Sequence, residues 1–445
     1  MAPGIVEEDM NFNLRKYNVS YNTGFMLESP LTSLPHYFEP WNHLAASVPS
    51  RLKTKTLRDA VHELPQLDHR QLVGHRQLRL AHLQLSYITS GYVWQDGDHG
   101  VPQLPKNLAV PLYKISQELG IQPILSTADL GLANWKLTHS DRPRDFENLE
   151  CICHPPGDSE GDWFCIVTFM VEFNFSNCLK PMAHIIETLD TYETARDDSL
   201  NMDTTEDQVT RYLDELTDAI ATMKAAFVKM HDNLQANTFF NVLRPFLMGW
   251  GGKGNPLPDG LIYEGVSEQP LKFLGSSEAQ SGTLQLLDGF LGVQHTEDKR
   301  ETLLHMRSYM LPGHRAIIED VERRETTLRN FVLSSRNKSL HSAYNRCLSA
   351  VVNFRSYHLQ IVTKYIVAAS RHGVSGQHDN DDLKGTGGTN LIPFLKGLRS
   401  DTEDAATVPH DKKTKFSIKR EVIIAAFVIT GVITAINLSW VRSMI

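Results

Sequence analysis

Phe354-Arg-Ser-Tyr-His-Leu-Gln-Ile-Val-Thr-Lys-Tyr365 is the stretch whose reading decides the fold. It lies in a run from about Ser339 to His372 that contains neither Gly nor Pro. Val351, Phe354, His358, Ile361 and Tyr365 recur three or four residues apart, so they form one stripe of one helix. His358 therefore points with the apolar residues into the protein. A histidine so placed is either a core residue with satisfied hydrogen bonds or a ligand, and the stripe alone leaves both open.

Around this helix the chain has 445 residues, enough for two or three domains and a large core. A formal charge of −8 leaves no broad basic surface for phosphates, which argues against a nucleic-acid partner. Five scattered cysteines do not read as a disulfide framework and suit a reducing compartment. The start, Met1-Ala-Pro-Gly-Ile-Val-Glu-Glu-Asp9, has no basic region and no apolar core, so it is not a secretory signal. Near the other end, Val422 to Trp440 is nineteen residues without a charge, close to the length of a membrane-spanning helix. Lys412, Lys413, Lys415, Lys419 and Arg420 precede it and Arg442 follows, which predicts a tail anchor with the main body on the cytosolic side. The host would be an intracellular membrane, the mitochondrial outer membrane or the endoplasmic reticulum.

From Leu31 to about Leu137 short helical patterns are broken by frequent prolines, which predicts short helices and connectors. Residues 140–148 and 154–162 read as connection. Trp163 to Phe175 is apolar almost throughout, so periodicity does not separate strand from helix there. Thr205 with Gln208 offers a capping box. It opens a stripe of Val209, Leu213, Leu216, Ile220, Met223, Phe227 and Met230, read as core packing. Phe239 to Met248 reads as a short helix, Gly249 to Gly265 as turns, and Gly373 to Asp382 as polar loop. The expectation is an all-α fold: a small helical domain (1–155), a larger one (156–400), a polar linker (401–418) and a C-terminal transmembrane helix (419–445).

Several motifs are set aside. Cys151-Ile-Cys153-His154 has one residue between its cysteines where covalent haem attachment needs two, and no fourth zinc ligand stands nearby. Gly251-Gly-Lys-Gly-Asn255 lacks the Ser or Thr of a phosphate loop. Neither His-Glu-x-x-His nor Gly-x-Ser-x-Gly occurs. In Phe239-Phe-Asn-Val-Leu-Arg-Pro-Phe-Leu-Met248, Arg244 is the one charge, and burial would demand an anionic partner, internal carboxylate or ligand.

Ser356-Tyr-His-Leu-Gln-Ile-Val-Thr-Lys-Tyr365 resembles the proximal haem helix of the indoleamine 2,3-dioxygenase family. Lys384-Gly-Thr-Gly-Gly-Thr389, Asp259-Gly-Leu-Ile-Tyr-Glu-Gly265 and Ala133-Asn-Trp135 match in the family's order, and the resemblance covers about residues 15 to 400. It implies a helix for 163–175, haem b as cofactor, and His358 as the proximal iron ligand. A haem site needs one basic axial ligand on a rigid helix and an apolar pocket beyond the iron. The resemblance further implies Phe164 and Thr168 in the distal pocket, with Phe169 able to join the aromatic cage. Phe239 and Arg244 would contact substrate, Ser277 would lie at the haem edge, and Thr386 in a Gly-rich loop would close over the ligand.

The activity it implies is cleavage of the indole ring of L-tryptophan by O₂ to N-formylkynurenine, on a monomeric catalytic domain. The alternative is a non-catalytic O₂-binding haem protein on the same scaffold, since the resemblance includes myoglobin-like carriers. Three positions depart from vertebrate members: Thr168 stands for a serine, Thr127 for a tyrosine, and Ser276-Ser-Glu-Ala279 for a smaller Gly-Ser-Ala-Gly.

Overall fold

Asn337 caps the helix that carries His358, its side-chain oxygen accepting from the backbone N–H of Ser339 and Leu340. That satisfies two donors which the first turn leaves open. From Lys338 the chain stays helical to His372, as an α-helix, a π-helical turn over Thr363–Ala368 and a last α turn. The computed structural model describes residues 12–97, 99–194, 202–372, 385, 386, 388 and 390–406.

In chain order the longer helices are α1 (Glu39–Thr54), α2 (Gly74–Trp94), α3 (Lys106–Leu119), α4 (Asp158–Thr194) and α5 (Met202–Val228). They continue with α6 (Gly282–Leu291), α7 (Glu297–Arg307), α8 (Pro312–Glu322), α9 (Lys338–Val362) and α10 (Leu391–Asp404). α4 packs along α5, α5 along α9, and α9 against α10. So the helix bearing His358 is held on two sides.

Among the described residues four short strands modify the all-α expectation. β1 (Gln103–Leu104) pairs in parallel with β4 (Ile262–Tyr263), and β2 (Trp135–Leu137) pairs antiparallel with β3 (Leu149–Cys151). The Ala133-Asn-Trp motif sits here: the Asn134 amide donates to Tyr87 Oη and to the Cys153 carbonyl, both at 2.8 Å. These are structural roles.

Two local expectations shift. α2 is long, not short, and Arg79 to Trp94 is buried all round, because the prolines flank it at Pro65 and Pro102 and leave its interior clear. α5 begins at Met202, so Thr205 lies inside its first turn and is not its cap. The segment 163–175 is helical, as part of the 37-residue α4.

The membrane expectation is corrected. Among the described residues no helix is long and apolar enough to cross a membrane. The transmembrane helix and the tail-anchored localisation therefore have no place in the described fold, and residues 419–445, where they were expected, lie outside it. The expected linker is partly helix, since Asp401 to Asp404 complete α10.

Asp401 also joins a buried ionic cluster. His295 places Nε2 at 3.0 Å from Asp288 Oδ2 and Nδ1 at 2.8 Å from Asp401 Oδ2, while Lys299 pairs with Asp401 and Arg355 with Asp288. Burial pulls the His295 imidazole down, but the two carboxylates outweigh it and hold its pKa above the ordinary value. A raised native pKa stabilises the fold fully below the unfolded value, about 6.5, and that contribution fades as pH rises through the native one. His295→Ala should cost roughly 1.5–3 kcal/mol at pH 6 and distinctly less at pH 9. Urea unfolding at both pH values checks this; an equal cost at both would show that the imidazole is held neutral.

Candidate functional site

Phe164, Thr168 and Glu172 are spaced by four on α4 and share one face, which lines a cavity. Phe354, His358, Ile361 and Tyr365 line it from α9 and the turn beyond. Its volume is ≈ 220 Å³, against the roughly 10–15 Å³ that one water needs, so it suits a large organic group. Ring contacts build much of the wall. Phe164 and Phe239 are 5.4 Å apart, Phe239 and Tyr365 5.8 Å, Phe227 and Phe354 5.6 Å, and Phe227 and His358 5.7 Å. Tyr365 is fixed from behind, donating to the Leu234 carbonyl at 3.0 Å.

His358 is enclosed by protein yet keeps part of its ring open to this cavity. Burial, with Arg355 nearby, lowers its pKa to about 4, so the imidazole is neutral at pH 7. Among the described residues neither ring nitrogen has a hydrogen-bond partner. A neutral imidazole turned toward an aromatic cavity without a partner is the donor an iron porphyrin requires. One turn away Arg355 reaches Asp288 at 2.6 Å, and Asp288 Oδ1, also at the cavity, has no hydrogen-bond partner. The residues present fit haem: one nitrogen ligand, an aromatic wall, and the guanidinium groups of Arg244 and Arg355 on the lining for anionic groups.

The second wall is irregular. Phe239–Leu243 is a π-helical turn, and Arg244–Phe246 continues it as one α turn with Pro245. Single π turns inside helices recur at functional sites. The Arg244 guanidinium lies 5.3 Å from the Phe240 ring centre. Ser277 caps a short turn over Glu278–Gln280, reciprocated by the Gln280 side chain. Thr386 donates through Oγ1 to the Ser276 carbonyl. Seven of the eight residues singled out from the sequence for the site (Phe164, Thr168, Phe239, Arg244, Ser277, His358 and Thr386) line this one cavity.

Other residues fall elsewhere. Phe169 is fully buried and turned away from the cavity, so it does not join the cage. Thr168 donates its hydroxyl to the Phe164 carbonyl at 3.1 Å, inside its own helix. The Cys151 and Cys153 thiols are pushed up, Cys151 mainly by its hydrogen bond to Cys165 and Cys153 by burial, while His154 pairs with Asp162 at 2.9 Å. Phe227 and Met230, read as packing, line the cavity. Arg355 and Asp288 had no sequence signal beyond a charge inside an apolar stretch.

Gly249 and Gly275 set the position of the Ser277 turn. A Cβ on Gly275 would lie 2.2 Å from the Leu247 carbonyl and 2.4 Å from the Gly249 nitrogen. Gly275→Ala should therefore cost roughly 1–3 kcal/mol of stability and displace Ser277. Thermal unfolding with ligand titration tests this; an unperturbed protein would show that the backbone segments at Gly249 and Gly275 separate freely.

A profile of the indoleamine 2,3-dioxygenase family matches residues 13–405. The chain belongs to the indoleamine 2,3-dioxygenase family. Indoleamine 2,3-dioxygenase 1 of Rattus norvegicus is 38% identical over 402 residues, covering 88% of this chain and 95% of that protein. Indoleamine 2,3-dioxygenase 2 of Mus musculus is 37% identical over 410 residues, 90% and 97% of the two chains. A protein of Haliotis diversicolor named myoglobin is 41% identical over 394 residues, 88% and 98%. As a member of this dioxygenase family the chain is classed as an oxidoreductase of the haem-iron kind. Thr127 is not among the cavity-lining residues, and its hydroxyl donates to the Ser277 carbonyl at 2.7 Å, which steadies the same turn.

Proposed function

We propose that this chain holds haem b through His358 and cleaves the indole ring of L-tryptophan with O₂ to give N-formylkynurenine. The observation that carries the reading is the neutral His358 imidazole, without a hydrogen bond among the described residues, on an aromatic cavity that Arg244 also lines. Residues 1–155 and 156–400 are then the small and large parts of a monomeric catalytic body. When bound, ferrous haem supplies the activation of O₂.

The chain's own residues do the rest. Arg244 receives the substrate carboxylate through two parallel hydrogen bonds, the geometry a guanidinium favours. Phe164 and Phe239, in ring contact at 5.4 Å and tilted by 53°, form one aromatic wall against which the indole ring packs, and exclude water from it. Thr168 spends its proton on the Phe164 carbonyl, so it offers a ligand only lone pairs. Thr386, tied to Ser276, closes the site on the far side. Orientation is thus the main contribution of the protein.

A second reading, reversible O₂ binding without turnover, is favoured by one observation, the 41% identity to a protein named myoglobin. The absorption spectrum of the purified protein with and without L-tryptophan, together with an assay for N-formylkynurenine, separates the two. Product formation supports the dioxygenase. A protein that binds haem and O₂ but forms no product supports the carrier.

A further inference from the structure

Glu278 is the acid in Ser276-Ser-Glu-Ala279, and its side chain opens onto the cavity while protein surrounds it. It stands on a turn locked by the Ser277–Gln280 capping pair. That turn is tied to the arginine-bearing wall, where the Ser276 N–H donates to the Leu247 carbonyl at 3.0 Å, and to the Gly-rich loop, where the Gly275 N–H donates to the Thr386 carbonyl at 3.1 Å. Among the described residues the Glu278 carboxyl has no hydrogen bond and no ion pair. Behind it Glu172 is already satisfied, accepting from Ser281 Oγ and Thr283 Oγ1, each at 2.7 Å. A carboxyl exposed to the cavity without a partner, with a second acid behind it, makes the spot attractive to a cation.

We propose that Glu278 receives the α-ammonium of the amino-acid substrate, so that Arg244 and Glu278 together read both charges of a zwitterion. This rests on the function proposed above and names the residue that selects amino acids over des-amino indoles. Burial, and then Glu172, push the Glu278 carboxyl up to about 8. In the empty site at neutral pH it is therefore protonated. Binding R–NH₃⁺ draws that proton off to solvent, leaving a carboxylate–ammonium pair. Among the described residues the other charged or titratable groups lining the cavity are Glu172 from α4, Arg244, Asp288 from α6, Arg355 and His358 from α9, and Tyr365 just beyond it. None of them offers this carboxyl a hydrogen bond.

The test is calorimetric binding to haem-loaded protein of L-tryptophan, tryptamine (no carboxylate) and indole-3-propionate (no amine). Glu278→Gln keeps the shape, and Glu278→Ala serves as a second variant, with melting temperatures as a folding check. Both should bind L-tryptophan and tryptamine about tenfold or more weakly, as expected for losing a charge-assisted pair. Indole-3-propionate should bind unchanged or tighter. Wild-type affinity for L-tryptophan should rise up to about tenfold per pH unit from pH 6 toward 8, and E278Q should be flat. L-tryptophan turned over by wild type yet bound equally by E278Q overturns this inference and leaves the dioxygenase reading intact. Glu278-dependent tryptamine binding without any N-formylkynurenine does the reverse.

Discussion

His358→Ala gives a folded helical protein that no longer holds haem in the wild-type ligation state. The imidazole makes no hydrogen bond within the described residues, so its removal deletes no structural partner. Its ring contact with Phe227 at 5.7 Å is lost, a modest cost beside an iron bond. The expected readings are a helical circular dichroism spectrum close to wild type, an altered Soret band, haem lost on gel filtration and N-formylkynurenine formation at background. Exogenous imidazole should restore part of the wild-type spectrum by entering the space left behind. A variant that retains the wild-type Soret band and haem content would show that the iron ligand lies elsewhere.

Arg244→Ala separates enzyme from carrier. Losing a charge-assisted pair to the substrate carboxylate is worth roughly 1.5–3 kcal/mol, about ten- to a hundredfold in L-tryptophan binding. Turnover should fall further, because the proposed reaction depends on how the indole ring is oriented in the site. Haem content and O₂ binding should survive, and tryptamine, which lacks the carboxylate, should bind variant and wild type alike. Unchanged L-tryptophan affinity would mean that the guanidinium serves a carboxylate of the protein itself. Loss of haem along with affinity would assign Arg244 to the cofactor.

The sequence made one half of the site plain. A run free of Gly and Pro with one apolar stripe specifies a helix and the direction of His358, because both follow from local geometry. The single charge in 239–248 marked Arg244 for the same reason: burial of an arginine needs an explanation wherever it occurs. What stayed hidden depends on contacts distant in sequence. Nothing in the α5 stripe distinguishes Phe227, which faces the cavity, from Leu213, which is fully buried. The aim of Phe169 depended on which face of α4 meets the pocket, and a segment apolar all round does not reveal that. Asp288 and Arg355 are 67 residues apart, and no local pattern pairs them. The short strands, two or three residues each, carry too few alternations to be read.

The two π turns, Phe239–Leu243 and Thr363–Ala368, pack against each other at the cavity wall through the rings of Phe239 and Tyr365. Each packs about one more residue into a turn than an α-helix holds, so everything after it is rotated by roughly 100° from where α-helical winding would put it. The direction of Arg244, which directly follows the first, is thus set by a count of residues as much as by any neighbour. Point substitutions leave such a count untouched, whereas deletion of a single residue between Phe240 and Leu243 would swing the guanidinium off the pocket at one stroke. The proposed recognition of a carboxylate is in this sense written in the spacing of the chain, and comparison of relatives at this site should weigh gaps as heavily as exchanged side chains.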